Sequence, residues 1–319
     1  RKSDLWLNSQ GRLSRPLILE RDSNHYVPSD WDRAIGIIAK SLDALEDPND
    51  AYFYTSGRAS NEAAYLWQLL ARQYGTNNLP DCSNMCHESS GVALNESIGI
   101  GKGTVRLEDF DKADLIVIVG QNPGTNHPRM LSALKSAKKS GASVLSINPL
   151  KETGMRRFRH PQSPIDMLGA GTQISDDHVD IKVNGDMALF RAIGSIILDK
   201  GVHDMDFINL NTTGFLEYAN IAKAVDWGLT EDLTGQSRDR IYEISDYFCR
   251  SKRTIVCWAM GITQHRNSVH TIHDIVNVLL LGGHFGRKGA GACPVRGHSN
   301  VQGDRTVGIN HHPSESFLT

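Results

Sequence analysis

The chain has 319 residues, enough for several layers of secondary structure around a substantial core. Its 39% hydrophobic and 22% charged content are ordinary for a globular protein, and 34 Lys and Arg against 36 Asp and Glu leave a formal net charge of −2. That balance argues against nucleic-acid or anionic-membrane binding, and no apolar run is long enough to span a bilayer. The most apolar stretch, 276–281, stops at Gly282-Gly283. Five cysteines (Cys82, Cys86, Cys249, Cys257 and Cys293) are odd in number and widely spaced, which argues against a disulfide scaffold, and no Cys-x-x-Cys occurs. The Arg1 start and the irregular run from His298 read as cuts through a larger protein.

Residues 1–28 are irregular and polar. Ser29-Asp30 then reads as a helix cap before a stripe of Ile35, Ile38, Leu42 and Leu45. Residues 51–55 read as a short strand, 56–61 as a turn and 62–74 as a helix broken by Gly75-Thr76-Asn77-Asn78. The 82–86 segment shows no clear periodicity. From Asp114 to Val119 a continuous apolar run has the pattern of a parallel strand buried on both faces. The turn 120–126 follows, Pro128 suits a first helical position, Met130, Leu131 and Leu134 supply the apolar stripe, and Gly141 ends the helix. Residues 143–147 form the next strand, ending at Asn148-Pro149. The pattern recurs as strand 179–183, turn 184–186 and helix 187–200, then as strand 254–258, turn 260–264 and helix 268–281. Residues 202–253 read as short helical pieces with polar joints. This alternation implies an α/β fold with a doubly wound, mostly parallel, Rossmann-like sheet, and ligands beyond the carboxyl ends of its strands. The domain is expected over 82–298, inserted in a second, incomplete α/β domain made of 1–81 and a truncated 299–319.

Cys86 and His87 are adjacent, so a soft-metal ligand sits beside a group that can move a proton. Singly, each also suits a buried structural role. Cys82 with Cys86 as a zinc pair lacks two further ligands at close spacing. Glycines and the helix start in 120–126 favour a phosphate, yet the turn is neither G-x-G-x-x-G nor a P-loop, and alone it reads better as a plain connection. Asp186 is a helix N-terminal carboxylate or an acceptor for a purine edge; alone, the first reading is the better one. Arg296, within the glycine-punctuated 294–303, suits bidentate carboxylate recognition, where a solvated loop is the plainer reading. Arg58, Lys288, Arg296 and Arg305 are either surface charge or a set that neutralises a polyanion. One Cys-His pair among several nucleotide-type turns suggests a redox metal carried by a large nucleotide-containing cofactor.

Four motifs occur in a telling order: Ser83-Asn84-Met85-Cys86-His87, Gly120-Gln121-Asn122-Pro123 with His127-Pro128, Val183-Asn184-Gly185-Asp186, and Arg296-Gly297-His298-Ser299-Asn300-Val301-Gln302-Gly303. From about Gly11 to Gly303 the chain resembles molybdopterin oxidoreductases, and within them the formate dehydrogenase alpha-subunit-like branch. The resemblance implies that Cys86 ligates molybdenum or tungsten, His87 accepts a proton and Arg296 orients formate. It implies contacts to a bis(molybdopterin guanine dinucleotide) from Gly120, Asn122, Pro123, Asn126, Asn148, Thr153, Gly185, Asp186, Met260, Gly261, Gln264, Gly297 and His298, with Arg58 and Asn61 in another cofactor-facing turn. It further implies a 4Fe-4S cluster outside this segment, an electron-transfer partner subunit or acceptor, formate or another small anionic substrate, and a cytoplasmic location. Two departures stand out. Glu88 replaces the family's usual Gly, which would repel formate or raise the His87 pKa, and Asn148 stands where Asp is common, weakening one sugar contact. Two rivals remain: reduction of an oxyanion on the same cofactor, and a non-catalytic electron-transfer scaffold.

Overall fold

A computed structural model describes residues 2–164, 166 and 169–310. These fall into two compact units, 2–81 with 300–310, and 82–299.

In the first unit, β1 (Leu17–Leu19) and β2 (Tyr26–Pro28) form an antiparallel pair with Ile18 opposite Val27, preceded by a helix, Asp4–Ser9, that Ser3 caps. Both lie where the polar character of the segment suggested irregular chain. Asp30 caps the helix Trp31–Asp43 by accepting from the Arg33 N–H at 2.7 Å. Its apolar stripe is not buried within this unit: Ile35 and Ile38 are 58% and 59% exposed. Residues 51–55 make no strand ladder. They are held by Phe53 N–H to Asn78 O at 2.9 Å, Thr55 N–H to Pro80 O at 3.3 Å and a single parallel bridge, Thr55 to Asp81. The helix Asn61–Tyr74 starts at Ser60 and stops at Gly75, whose φ of +109° only glycine adopts at low cost. A small core of Phe53, Ala64, Ala71, Leu79 and Ile309 closes the unit.

The second unit is built on five parallel strands: β3 (Leu115–Val119), β4 (Ser143–Asn148), β5 (Asp177–Asp180), β6 (Thr254–Trp258) and β7 (Gly291–Pro294). Their spatial order is β5-β4-β3-β6-β7, or 3-2-1-4-5 in order of appearance, with Val119 opposite both Ile147 and Trp258. The order reverses between β3 and β6, the crevice at which such sheets bind ligands. Every residue of β3 and β6 is buried because helices cover both faces. On one face Leu131, Leu134 and Ala137 of the helix Pro128–Lys139 pack on Ile116, Ile118, Val144, Ile255 and Cys257. On the other, the helices Asp186–Asp199 and Ser268–Leu281 pack on Val117, Val119, Leu145, Ile147 and Val256. The α/β, doubly wound, parallel reading therefore stands. Several details differ. β5 begins and ends earlier than 179–183, leaving Val183 exposed ahead of the left-handed Asn184 (φ +69°). β7 lies where no strand was expected, residues 238–250 make one 13-residue helix, and Cys82–Cys86 and Glu88–Ile98 are helical. Among the described residues no helix is long and apolar enough to cross a membrane.

Candidate functional site

Because the strands are parallel, the loops that follow β3, β4, β5 and β6 all emerge at one edge of the sheet. Two of them meet at the reversal point. Gly261 N–H donates to Gly120 O at 3.0 Å, and a Cβ on Gly261 would lie 2.5 Å from that oxygen, so only glycine permits the approach. The loops after β3 and β4 interlock as well. Asn122 accepts from Thr125 N–H at 3.2 Å and donates to Glu152 Oε2 at 2.6 Å, just before the short helix that opens at Thr153. Gly124 and Gly154 are in backbone contact, and Asn148 donates its amide to Gln121 O at 3.0 Å. Pro123 is buried and Asn126 exposed on this edge. The Asn122 and Asn148 side chains thus hold loop against loop.

Cys86 ends the helix Cys82–Cys86 and is half-buried. Burial pushes its thiol pKa up, while a hydrogen bond from the Gly297 backbone N–H and the positive charge of Arg296 act the other way and favour a thiolate. Its carbonyl accepts from Thr263 Oγ1 at 2.6 Å, and Gln264 Nε2 donates to Met85 O at 2.7 Å, so the loop after β6 fixes the backbone that carries the thiol. Met260, in the same loop, is half exposed.

His87 is 2% exposed, and burial with the nearby Arg296 charge holds its pKa down to about 4. It is therefore neutral, and its tautomer follows from its partners. Val295 O, 3.0 Å from Nε2, can only accept, so Nε2 carries the proton. Nδ1 then accepts from Ser90 Oγ at 3.0 Å, and Ser90 Oγ in turn accepts from Trp258 Nε1–H at 2.9 Å. His127 repeats the arrangement: Gln121 Nε2 lies 3.1 Å from Nδ1, and Nε2 lies 3.2 Å from Arg296 O. Two histidines thus grip consecutive carbonyls, those of Val295 and Arg296. Arg296 Nη2 donates to Gly101 O at 3.4 Å, and His298 Nδ1 lies 3.2 Å from Cys82 Sγ. Glu88 does not raise the His87 pKa as expected; it is not among the influences on that ring, and its carboxylate accepts from Asn84 Nδ2 at 3.2 Å.

Asp186 opens the helix after β5 and is 5% exposed. Its Oδ1 has no hydrogen-bond partner among the described residues, and burial pushes its pKa up to about 6. Gly185 beside it is required by packing, since a Cβ there would lie 2.6 Å from Leu233 O. In the other unit, Arg58 is exposed, and Asn61 Oδ1 accepts from Asn300 Nδ2 at 2.9 Å, while Asn300 also donates to Ala59 O at 2.8 Å. Arg305 pairs with Asp81 at 3.3 Å. Lys288 precedes β7, which places it at the opposite edge of the sheet from Cys86.

The second unit therefore brings Cys86, His87, Arg296 and Gly297 together. Sequence reasoning had not singled out Ser90, Trp258, Gln121, His127 or Thr263 as parts of this arrangement. Gln121 and His127 carried a signal as members of the Gly120-Gln121-Asn122-Pro123 and His127-Pro128 motif, and Thr263 lay in the turn 260–264; Ser90 carried none. Among the described residues no three His, Cys, Asp or Glu side chains converge on a possible metal position. One soft thiol near an arginine, able to bind as a thiolate, fits a metal whose other ligands arrive with an organic cofactor, and the orphaned Asp186 Oδ1 fits a ligand edge rich in N–H donors.

Comparison with known proteins places the chain in a family. Residues 12–314 match the family model described as molybdopterin oxidoreductase. The chain is 51% identical to an uncharacterised oxidoreductase of Mycobacterium bovis over 99% of its own length and 42% of that protein. It is 46% identical to protein YdeP of Escherichia coli, over 98% of this chain and 43% of that one, and 30% identical to formate dehydrogenase H of the same species, over 93% and 40%. Acetylene hydratase from Pelobacter acetylenicus shares the fold, with a TM-score of 0.71 at 18% identity over 88% of this chain and 36% of that one. The chain spans less than half the length of these relatives. With a family model matched over almost its whole length, the chain belongs to the molybdopterin oxidoreductase family.

Proposed function

We propose that the full-length protein binds a molybdenum or tungsten bis(molybdopterin guanine dinucleotide) through Cys86 and oxidises formate to carbon dioxide. The observation that carries this reading is the Cys86 thiol, half-buried against the Gly297 N–H and the Arg296 charge. The bound cofactor supplies the two-electron redox chemistry. Arg296 pairs with the carboxylate of the substrate, and the His87 and His127 contacts to Val295 O and Arg296 O hold its backbone before substrate arrives. Oxidation of formate releases one proton and two electrons. Nδ1 is the ring atom of His87 with a lone pair and is the proposed acceptor of that proton; with its pKa held down to about 4, the ring would pass the proton on rather than keep it. Asp186 receives the N–H edge of guanine. An iron–sulfur cluster and a partner subunit or acceptor, both outside this segment, would carry the electrons away. Formate dehydrogenase H, at 30% identity, supports the choice of substrate.

Glu88, which stands beside the Cys86-His87 pair where the family usually has Gly, motivates a second reading, reduction of an oxyanion on the same cofactor. Turnover of the full-length enzyme with formate and with nitrate, measured side by side, separates the two. Formate turnover that falls at least tenfold in Arg296→Gln supports the first reading; nitrate turnover with none on formate supports the second. Absence of both, in metal-loaded protein, would favour the scaffold.

A further inference from the structure

Two cysteines that the proposed chemistry does not use face each other on neighbouring strands. Cys257 of β6 and Cys293 of β7 are register partners in the parallel ladder. Register partners in a parallel sheet point to the same face, and both thiols pack in the cluster beneath the helix Pro128–Lys139. Neighbouring strands lie about 4.8 Å apart, within the range of Cα separations, about 4.4–6.8 Å, that a disulfide spans. The thiols already lie within hydrogen-bonding reach of each other, and both are reduced.

Their exposures differ in a useful way. Cys257 is fully buried. Cys293 is partly exposed and lines an open apolar groove of about 820 Å³ together with Phe110, Met130, Phe158 and Val295. A small oxidant entering that groove meets one sulfur, with the second directly behind it.

We propose that Cys257 and Cys293 form a peroxide-reactive dithiol that closes to an intramolecular disulfide. The Cys293 thiolate attacks a hydroperoxide oxygen; the O–O bond breaks, Cys293 becomes a sulfenic acid, and the alcohol or water leaves with the proton that Cys293 gave up. The Cys257 sulfur then attacks the Cys293 sulfur; the S–O bond breaks and water leaves with the Cys257 proton. In sum, two thiols lose two hydrogens and one hydroperoxide is reduced. The new bond would tie β7 to β6 one residue pair before Trp258 and Pro294, on the strand that runs on to Val295 and Arg296.

The test uses the full-length protein treated with hydrogen peroxide, alkylated without reductant, digested and weighed by mass spectrometry. The expected result is a Cys257–Cys293 linked peptide pair, two free thiols lost at these positions, and recovery of both on adding a phosphine reductant. In Cys257→Ser, a dimedone probe should capture a sulfenic acid at Cys293; in Cys293→Ser, Cys257 should stay reduced. Met85, 63% exposed, reports that oxidant was present. Cys293 driven to sulfinic acid with no linked peptide, or both thiols fully alkylated at doses that oxidise Met85, would overturn the proposal, and either can be read in the unmutated protein.

Discussion

Asp186→Asn should stabilise the cofactor-free protein at neutral pH while weakening its hold on a guanine nucleotide. The carboxylate is buried, its Oδ1 lacks a partner among the described residues, and its pKa is pushed from 3.8 up to about 6. Desolvation dominates over the backbone N–H groups at the helix start, which favour the charge. A rise of that size corresponds to about 3 kcal/mol of destabilisation when the group is ionised. The sign follows from proton binding. The folded state holds this proton more tightly than the unfolded state, so the penalty is complete above pH 6 and is relieved as pH falls from 6 toward 3.8. Asparagine keeps the shape and removes the charge. Urea unfolding of full-length, cofactor-free protein should therefore show Asp186→Asn more stable by about 1–3 kcal/mol at pH 8, with the difference shrinking as pH falls through 6 and closing only below about 3.8. A variant less stable at pH 8, or a difference that does not change with pH, would refute the claim that this carboxylate is held at a cost.

Other changes separate packing from hydrogen bonding at the same edge. Gly261→Ala should cost about 1–3 kcal/mol, because its Cβ would lie 2.5 Å from Gly120 O, a backbone atom that has little room to move. Gly91→Ala, in the helix Glu88–Ile98 with nothing within 4 Å of the new Cβ, should instead stabilise by up to about 1 kcal/mol. Thermal unfolding of the two variants checks the contrast. Ser90→Ala leaves Trp258 Nε1–H and His87 Nδ1 without their shared hydroxyl and should cost about 2 kcal/mol in chemical unfolding, whereas a loss within experimental error would mean that water replaces it.

The central strands were legible because burial on both faces writes an unbroken apolar run, as in Leu115–Val119 and Thr254–Trp258. β7 was not, because Gly-Ala-Cys-Pro carries a glycine and a proline and becomes a strand only through its partner β6. Residues 51–55 show the reverse: strand-like residues that find only scattered backbone partners in their unit. The stripe on Trp31–Asp43 was visible as periodicity, but periodicity does not say what covers it, and Ile35 and Ile38 are exposed in their own unit. At the candidate site, Cys86, His87 and Arg296 stood out only through motif and resemblance. The contacts that hold them join residues up to 208 positions apart in the chain, as in His87 to Val295, and no local pattern encodes them. For Asp186 the sequence alone favoured a plain helix-start carboxylate; its Oδ1, without a hydrogen-bond partner among the described residues, is a feature that no local pattern encodes.

Metal content tests the central claim most directly. Full-length protein, made in a host that supplies the pterin cofactor, should contain near-stoichiometric molybdenum or tungsten, and Cys86→Ala should lose most of it while remaining folded. Metal-free wild-type protein, purified from a host in which a control enzyme loads normally, would contradict the account.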